Sequence, residues 1–331
     1  MKTYTRSVFI DFSSAFNTLI PHLLTRKLSN LNVHPQLIMT IQDFLLCRCQ
    51  QVKIGKLISC VRSISTGVPQ GCVLSPVLFS IYTNDFVSTD DNCSMIKYAD
   101  DTVITGYISD DNTERYFSLI QQFVEWCDRH HLQLNVAKTK EIVIDFRKRT
   151  VVDHAPLCIH DSVVEQVSEY KYLGTTISCK LDWSKNVNII QKKANQRLYF
   201  LRQLKKLHID NTLLVLFYKS IIQSILTFNL ICYFRNGTRA SKRKTERIRK
   251  IAQRITGLEL PSLESIYVDR TLLKITRIMK DPSHPLFHNY NFNRSGIRLC
   301  VPRTRRERFR RSFVPDSTHM FNSMVKRGQS M

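Results

Sequence analysis

Negative charge is what this chain has least of. It sets 27 Asp and Glu against 49 Lys and Arg, a formal net charge of +22 over 331 residues. An imbalance of that size points to a polyanionic partner. No apolar run is expected to reach the length of a transmembrane span, so no membrane partner is expected. The start, Met1-Lys2-Thr3-Tyr4-Thr5-Arg6, leads at once into a short strand and is not a secretory signal. Ten cysteines are scattered without a paired pattern. Cys47-Arg48-Cys49 is a lone pair, no Cys-x-x-Cys exists, and no zinc knuckle is visible. Free thiols in a reducing compartment follow, so the expected setting is intracellular, nuclear or cytoplasmic, and not secreted.

What is present supports one large or two modest domains, with 43% apolar residues for a core. The charge is unevenly placed. Residues 1–150 hold 16 basic and 14 acidic residues, whereas residues 151–331 hold 33 and 13. The first half reads as a balanced globular core and the second as a polyanion-binding surface.

Two adjacent acids interrupt an otherwise β-rich stretch. Tyr98-Ala99-Asp100-Asp101 lies between Ser94–Lys97 and Thr102–Thr105, which places the acids at a hairpin tip. Paired carboxylates repel unless a cation lies between them, although a solvated turn has the same composition. Upstream, the run Ser7–Phe12 contains Asp11, an acid at a strand end that is costly to bury unless paired or metal-bound. Ser13 or Ser14 then serves as a helix N-cap, and an N-cap or salt-bridge role for Asp11 is the bland reading. Between these segments, Thr66–Pro76 holds Gly67 and Gly71, which permit close backbone approach, and Pro69, which stiffens the loop. Ser75-Pro76 reads as a helix start.

In that order the segments resemble the reverse transcriptases of non-LTR (LINE-like) retrotransposons. Phe9–Phe16 is similar to motif A, Gly67–Pro76 to motif B, Tyr98–Asp101 to motif C, Leu132–Lys140 to motif D and Tyr170–Gly174 to motif E. The resemblance covers most of the chain. It implies RNA-directed DNA polymerase chemistry, with two magnesium ions (manganese as a substitute) on Asp11, Asp100 and Asp101. It places Phe12, Phe16, Gln70 and Gly71 at the incoming deoxynucleotide, with Phe16 excluding a ribose 2′-hydroxyl. Plain helix packing is the alternative for Phe16. Lys138 is the better general acid toward pyrophosphate and Lys140 the second, while either fits a solvated lysine. Tyr172, Leu173 and Gly174 would form the primer grip. The implied partners are an RNA template, a DNA primer or RNA–DNA duplex, and deoxynucleoside triphosphates.

The expected fold class is α+β: a palm with an antiparallel sheet and packed helices over 1–180, an all-α basic thumb over 181–260, and a basic, partly disordered C-terminal region over 261–331. The pattern predicts strand 7–12, helices 14–30, 36–48, 75–86 and 112–131, a hairpin over 94–107, and strands near 50–54, 58–65, 140–146, 157–159, 162–167 and 171–177. Helices follow over 186–207, 210–233 and 238–257, the last carrying a basic face suited to a template–primer duplex, or to a membrane surface or partner helix. Six arginines between Arg303 and Arg311 read as a polyanion-binding or nuclear-import run. His208-Ile209-Asp210 mimics part of an iron facial triad, and the helical setting argues against it. His130-His131 reads as a helix end or packed face rather than a metal site.

Two departures from the family pattern bear on activity. Motif A lies about ten residues from Met1, so fingers and an upstream endonuclease are expected to be missing and the chain weak or inactive alone. Asn17 stands where relatives commonly carry an acid. The alternative function is a non-catalytic nucleic-acid-binding remnant.

Overall fold

A computed structural model describes residues 3–88, 90–147 and 154–326. The chain forms two compact units, residues 1–172 with 178–181, and residues 173–177 with 182–331.

The first unit opens with β1 (Thr3–Ile10), whose Thr and Val residues favour extended backbone. The helix expected over 14–30 is two: α1 (Ala15–Thr18) and α2 (Pro21–Asn30). Pro21 starts α2 at its first turn, because inside a longer helix its ring would clash with the preceding turn. Ser14 stands before α1 with φ +54° but makes no side-chain cap. Next come α3 (Pro35–Leu45) and the short strands β2 (Arg48–Gln50), β3 (Lys53–Ile54), β4 (Leu57–Ile58) and β5 (Arg62–Ile64). Then follow α4 (Leu74–Tyr82), β6 (Cys93–Tyr98), β7 (Asp101–Ser109), α5 (Glu114–Arg129) and β8 (Lys140–Ile144). The unit continues through β9 (Cys158–Ile159), β10 (Ser162–Val163), β11 (Glu165–Gln166) and β12 (Glu169–Tyr172).

One five-stranded sheet, in the order β11-β8-β1-β7-β6, organises the unit. Its pairs are antiparallel except β11 with β8, which is parallel. Both faces of its centre are covered. Val8, Ile10 and Ile104 join the main core with α2, α4 and α5. Phe9, Val103 and Ile142 face a smaller cluster with Tyr170 and Tyr172. Within the helix-side layer Arg6 is fully buried and donates to Glu141 through Nε (2.9 Å) and Nη2 (2.7 Å). Glu141 also accepts from Tyr116 Oη (2.9 Å), so one buried pair ties β1, β8 and α5 together.

The second unit is helical after β13 (Thr175–Ser178). It contains α6 (Ser184–Lys206), α7 (Asn211–Phe217), a π-helical turn (Tyr218–Gln223), α8 (Ser224–Leu226), α9 (Leu230–Tyr233) and α10 (Arg239–Thr256). The helix expected over 210–233 is thus interrupted by the wide turn and by Asn229 at φ +49°. By length and composition Asn211–Tyr233 could cross a membrane, contrary to the sequence expectation that no apolar run reaches that length. Its Leu214, Tyr218, Ile222, Leu226, Leu230 and Tyr233 are core residues of this unit. Thr238 caps α10 by accepting from Ser241 N, and Gly257 ends it in the left-handed region.

Residues 261–326, expected to be partly disordered, hold α11 (Leu263–Met279), α12 (Glu307–Arg310) and α13 (Phe313–Lys326). Ile275, Ile278, Tyr290, Leu299 and Phe321 form a small core there. Asn322 exchanges two hydrogen bonds with the Leu299 backbone, which fixes the loop on α13.

Candidate nucleotidyl-transfer site

Strand register brings the three acids together. Ile10 pairs with Thr102 and Tyr98 with Asp101, so Asp11 leaves β1 beside the tip of the β6–β7 hairpin. Ala99 occupies that tip at φ +52°, a conformation that costs a residue with a Cβ. Asp11 and Asp100 line an open cleft of about 600 Å³ together with Phe12, Phe16, Gln70, Gly71 and Lys138. Asp101 starts β7 beside them. Although it is solvent-exposed, partial desolvation, then the charges of Asp100 and Asp11, raise its carboxyl above the usual range.

Asp11 is held by its backbone. Its N–H donates to Thr139 Oγ1 (3.2 Å), its carbonyl accepts from Asn135 N (2.8 Å), and Ser13 N donates to Gln133 O (2.8 Å). Thr139 is buried and donates in turn to Asn135 O (2.9 Å). One oxygen of the Asp11 side chain, Oδ2, is buried with no hydrogen-bond partner. A buried carboxylate oxygen lacking a donor is costly, and it fits a cation ligand. Among the described residues no group of three or more His, Cys, Asp or Glu is disposed to hold a metal ion by itself. A magnesium site built on one or two carboxylates, with water and substrate phosphates completing the shell, does not require such a group.

The 66–76 loop is docked onto α1. Gly67 N donates to Leu19 O (2.6 Å) and Val68 N to Phe16 O (2.7 Å). At Gly67, φ +76°, a Cβ would come within 2.7 Å of Asn17 Cα and Phe16 O. Gly71, φ +86°, faces open space instead. Ser75 donates from Oγ to Pro69 O, and Cys72 Sγ lies 2.8 Å from Ser75 Oγ. Gln70 Nε2 donates to Asn17 Oδ1 (3.3 Å). Asn17 therefore serves as a partner for Gln70, a role the sequence reading missed.

Phe16 lines the cleft with its ring against Phe79, 5.4 Å between centroids, so packing and cleft wall coexist in one side chain. Lys138 is exposed on the cleft, whereas Lys140 is engaged by Glu165 (2.8 Å). Tyr170 and Tyr172 flank Phe9 at 4.5 and 5.4 Å, and burial followed by Asp101 raises both phenols. Leu173 (φ +43°) and Gly174 (φ +79°) belong to the second unit, where a Cβ on Gly174 would meet the Phe228 ring at 2.9 Å. They do not line the cleft.

The histidine decoys dissolve. Asp210 caps α7 by accepting from Thr212 N (2.7 Å). His130 ends α5 and stacks on Trp126 at 4.2 Å.

Comparison with known proteins identifies a family for the first unit. The family model described as "Reverse transcriptase (RNA-dependent DNA polymerase)" matches residues 1–177. A second, "Alkylated DNA repair protein alkB homolog 8, N-terminal", matches only residues 183–224, the α6 to π-turn segment. The "Probable RNA-directed DNA polymerase from transposon X-element" of Drosophila melanogaster is 26% identical, over 78% of this chain and 29% of its own length. The "RNA-directed DNA polymerase from mobile element jockey" of Drosophila funebris is 27% identical, over 70% of this chain and 26% of its own. The chain thus spans about a quarter of the length of these relatives. Among solved structures, a telomerase from Candida tropicalis in complex with a fragment of telomeric RNA aligns over 86% of this chain and 48% of that one, at 13% identity and a TM-score of 0.40. This family generally uses divalent metal ions. By the span of the family match and by the relatives it resembles, the chain belongs to the reverse transcriptases of LINE-like, non-LTR retrotransposons.

Proposed function

We propose that the chain carries the polymerase centre of an RNA-directed DNA polymerase, adding deoxynucleotides to a primer 3′-hydroxyl on an RNA template. The observation that carries this reading is the orphaned, buried Oδ2 of Asp11 on a cleft shared with Asp100, Phe16, Gln70 and Lys138. Two magnesium ions would be held by Asp11 and Asp100 with Asp101 beside them; when bound, such ions activate the attacking hydroxyl and offset charge on the leaving pyrophosphate.

The chain's own residues supply the rest. Phe16 walls the cleft where a ribose 2′-hydroxyl would project, which favours deoxynucleotides. Gln70, held by Asn17, meets the nucleotide, and Gly71 leaves room for it. Lys138 can donate a proton to pyrophosphate. Tyr172, Leu173 and Gly174 are assigned to the primer. An intracellular setting is part of the proposal, supported by ten free thiols.

Manganese binding followed by electron paramagnetic resonance tests the reading, with deoxynucleotide present and primer extension measured in parallel. Asp100→Asn is expected to weaken manganese binding at least about tenfold and to abolish any extension. Unchanged manganese binding in Asp11→Asn and Asp100→Asn would reject it.

A second reading, a nucleic-acid binder without catalysis, is favoured by one observation: residues 1–181 hold 18 acids and 18 bases, whereas 182–331 hold 9 and 31. It expects salt-sensitive RNA binding that survives loss of all three acids.

A further inference from the structure

The arginine run near the C-terminus is left unexplained by the polymerase reading. In the structure it is not a free tail. Arg310 and Arg311, at the end of α12, border a concavity of about 500 Å³ with Arg235, Arg239 and Lys242 from around the start of α10. Two carboxylates share it, and both are already engaged. Asp316 is buried, pairs with Arg235 Nε (2.9 Å) and accepts from Tyr267 Oη (2.7 Å). Glu307 is divided between Arg310 Nη2 and Arg311 Nε, each at 2.6 Å. Lys242 reaches Glu264 only at 4.0 Å, and among the described residues Arg239 has no carboxylate partner. Five cations thus converge with two saturated acids, an arrangement that lacks an anion.

We propose that this concavity is a phosphate-binding site for the backbone of single-stranded RNA. A recessed site suits a flexible strand that can feed phosphates inward, whereas a duplex offers its phosphates on a stiff rod. Two further features favour a polymer over a lone phosphate. Lys242 also borders a second concavity, of about 720 Å³, along α10 with Arg243, Arg247, Lys250 and Arg254. Arg239, Arg243, Arg247, Lys250 and Arg254 recur every three or four residues, one stripe about 22 Å long. Phe309, next to Arg310, is 50% exposed and offers a ring on which a base can stack. The inference does not depend on catalysis, since none of these residues lines the carboxylate cleft.

The test uses the full chain carrying Asp100→Asn, without divalent cations, and a fluorescein-labelled single-stranded RNA 20-mer of mixed sequence. Arg239→Ala with Arg310→Ala is expected to weaken binding at least about tenfold and to flatten the slope of log K against log salt by about 1.4, two contacts at about 0.7 each. Lys53→Ala with Lys56→Ala, which removes the same charge from the β3–β4 hairpin, is expected to change affinity less than about twofold. Arg239→Gln alone, at a residue without an ion pair, keeps the test valid if the double variant unfolds, and should flatten the slope by about 0.7. Equal losses from the two double variants would reject a specific site. Equal losses for a matched duplex would reject the single-strand assignment. Inorganic phosphate protecting the wild type from heat but not the Arg239→Gln chain, with RNA affinity unchanged in that variant, would reassign the site to a free anion and overturn the proposal.

Discussion

Each of the three acids has a different environment, and the differences are testable one side chain at a time. Asp101 is raised by partial desolvation, Asp100 and Asp11. Its folded pKa lies above its unfolded one, so the native state takes the proton first. Stability without a bound cation is therefore present at low pH and lost as pH rises through the raised value. Asp101→Asn should lift the metal-free Tm near neutral pH by about 1–2 °C and reduce the Tm gain on adding magnesium, both read by thermal denaturation. A Tm that falls in the variant would show that Asp101 is not repelled. At Phe16 the two readings diverge in one measurement. Phe16→Ala should lower deoxynucleotide over ribonucleotide discrimination in kcat/KM by about tenfold or more, with a loss of stability from the contact to Phe79. Lost stability with discrimination intact would leave Phe16 as packing alone. At this scale the sequence was eloquent about acids and aromatics, because their chemistry is carried by the side chain. It was silent about Thr139 and Asn135, which act on the Asp11 backbone across more than 120 positions of chain.

Elements position these side chains through two devices. One is the antiparallel register that sets Asp11 beside the β6–β7 tip. The other is the docking of the 66–76 loop on α1, which rests on Gly67. Gly67→Ala would force a Cβ into backbone atoms at 2.7 Å while φ is +76°. A loss of about 2–4 kcal/mol is expected in urea denaturation, with nucleotide binding weakened through Gln70. The strand at β1, the hairpin and the capped helix α10 were legible in sequence, since β-branched runs, turn residues and caps are local signals. The split of the 14–30 helix was missed, although Pro21 is the local signal for it. The π-helical turn was not legible: nothing local in Tyr218–Gln223 distinguishes it from α-helix. Its buried Tyr218 hydroxyl and Gln223 side-chain oxygen Oε1 lack partners, a tertiary matter.

At the scale of the whole molecule, two compact units share one chain and the net positive charge lies on the second, residues 182–331 holding 31 bases against 9 acids while 1–181 balance at 18 each. Breaking the buried Arg6–Glu141 pair, with side chains 1% exposed, should cost the first unit about 3–5 kcal/mol. Ile222→Ala should cost the second about 2–5 kcal/mol. Calorimetry should then resolve two transitions, with Glu141→Gln lowering one and Ile222→Ala the other; a single transition shifted by both would show one cooperative unit. The charge split was evident from composition, whereas the helices after residue 261 were hidden beside the arginine run between them and by a core of few, widely spaced residues. The strand register of the first unit has a last consequence. Side chains alternate faces along β1, so losing a single codon between Thr3 and Ile10 exchanges the Phe9 layer with the Val8 and Ile10 layer and swings Asp11 away from the hairpin. Residues of this strand can be exchanged for others that suit the same face, while its length cannot change. An unchanged number of residues from Thr3 to Asp11 is therefore as much a requirement of the cleft as the acids themselves.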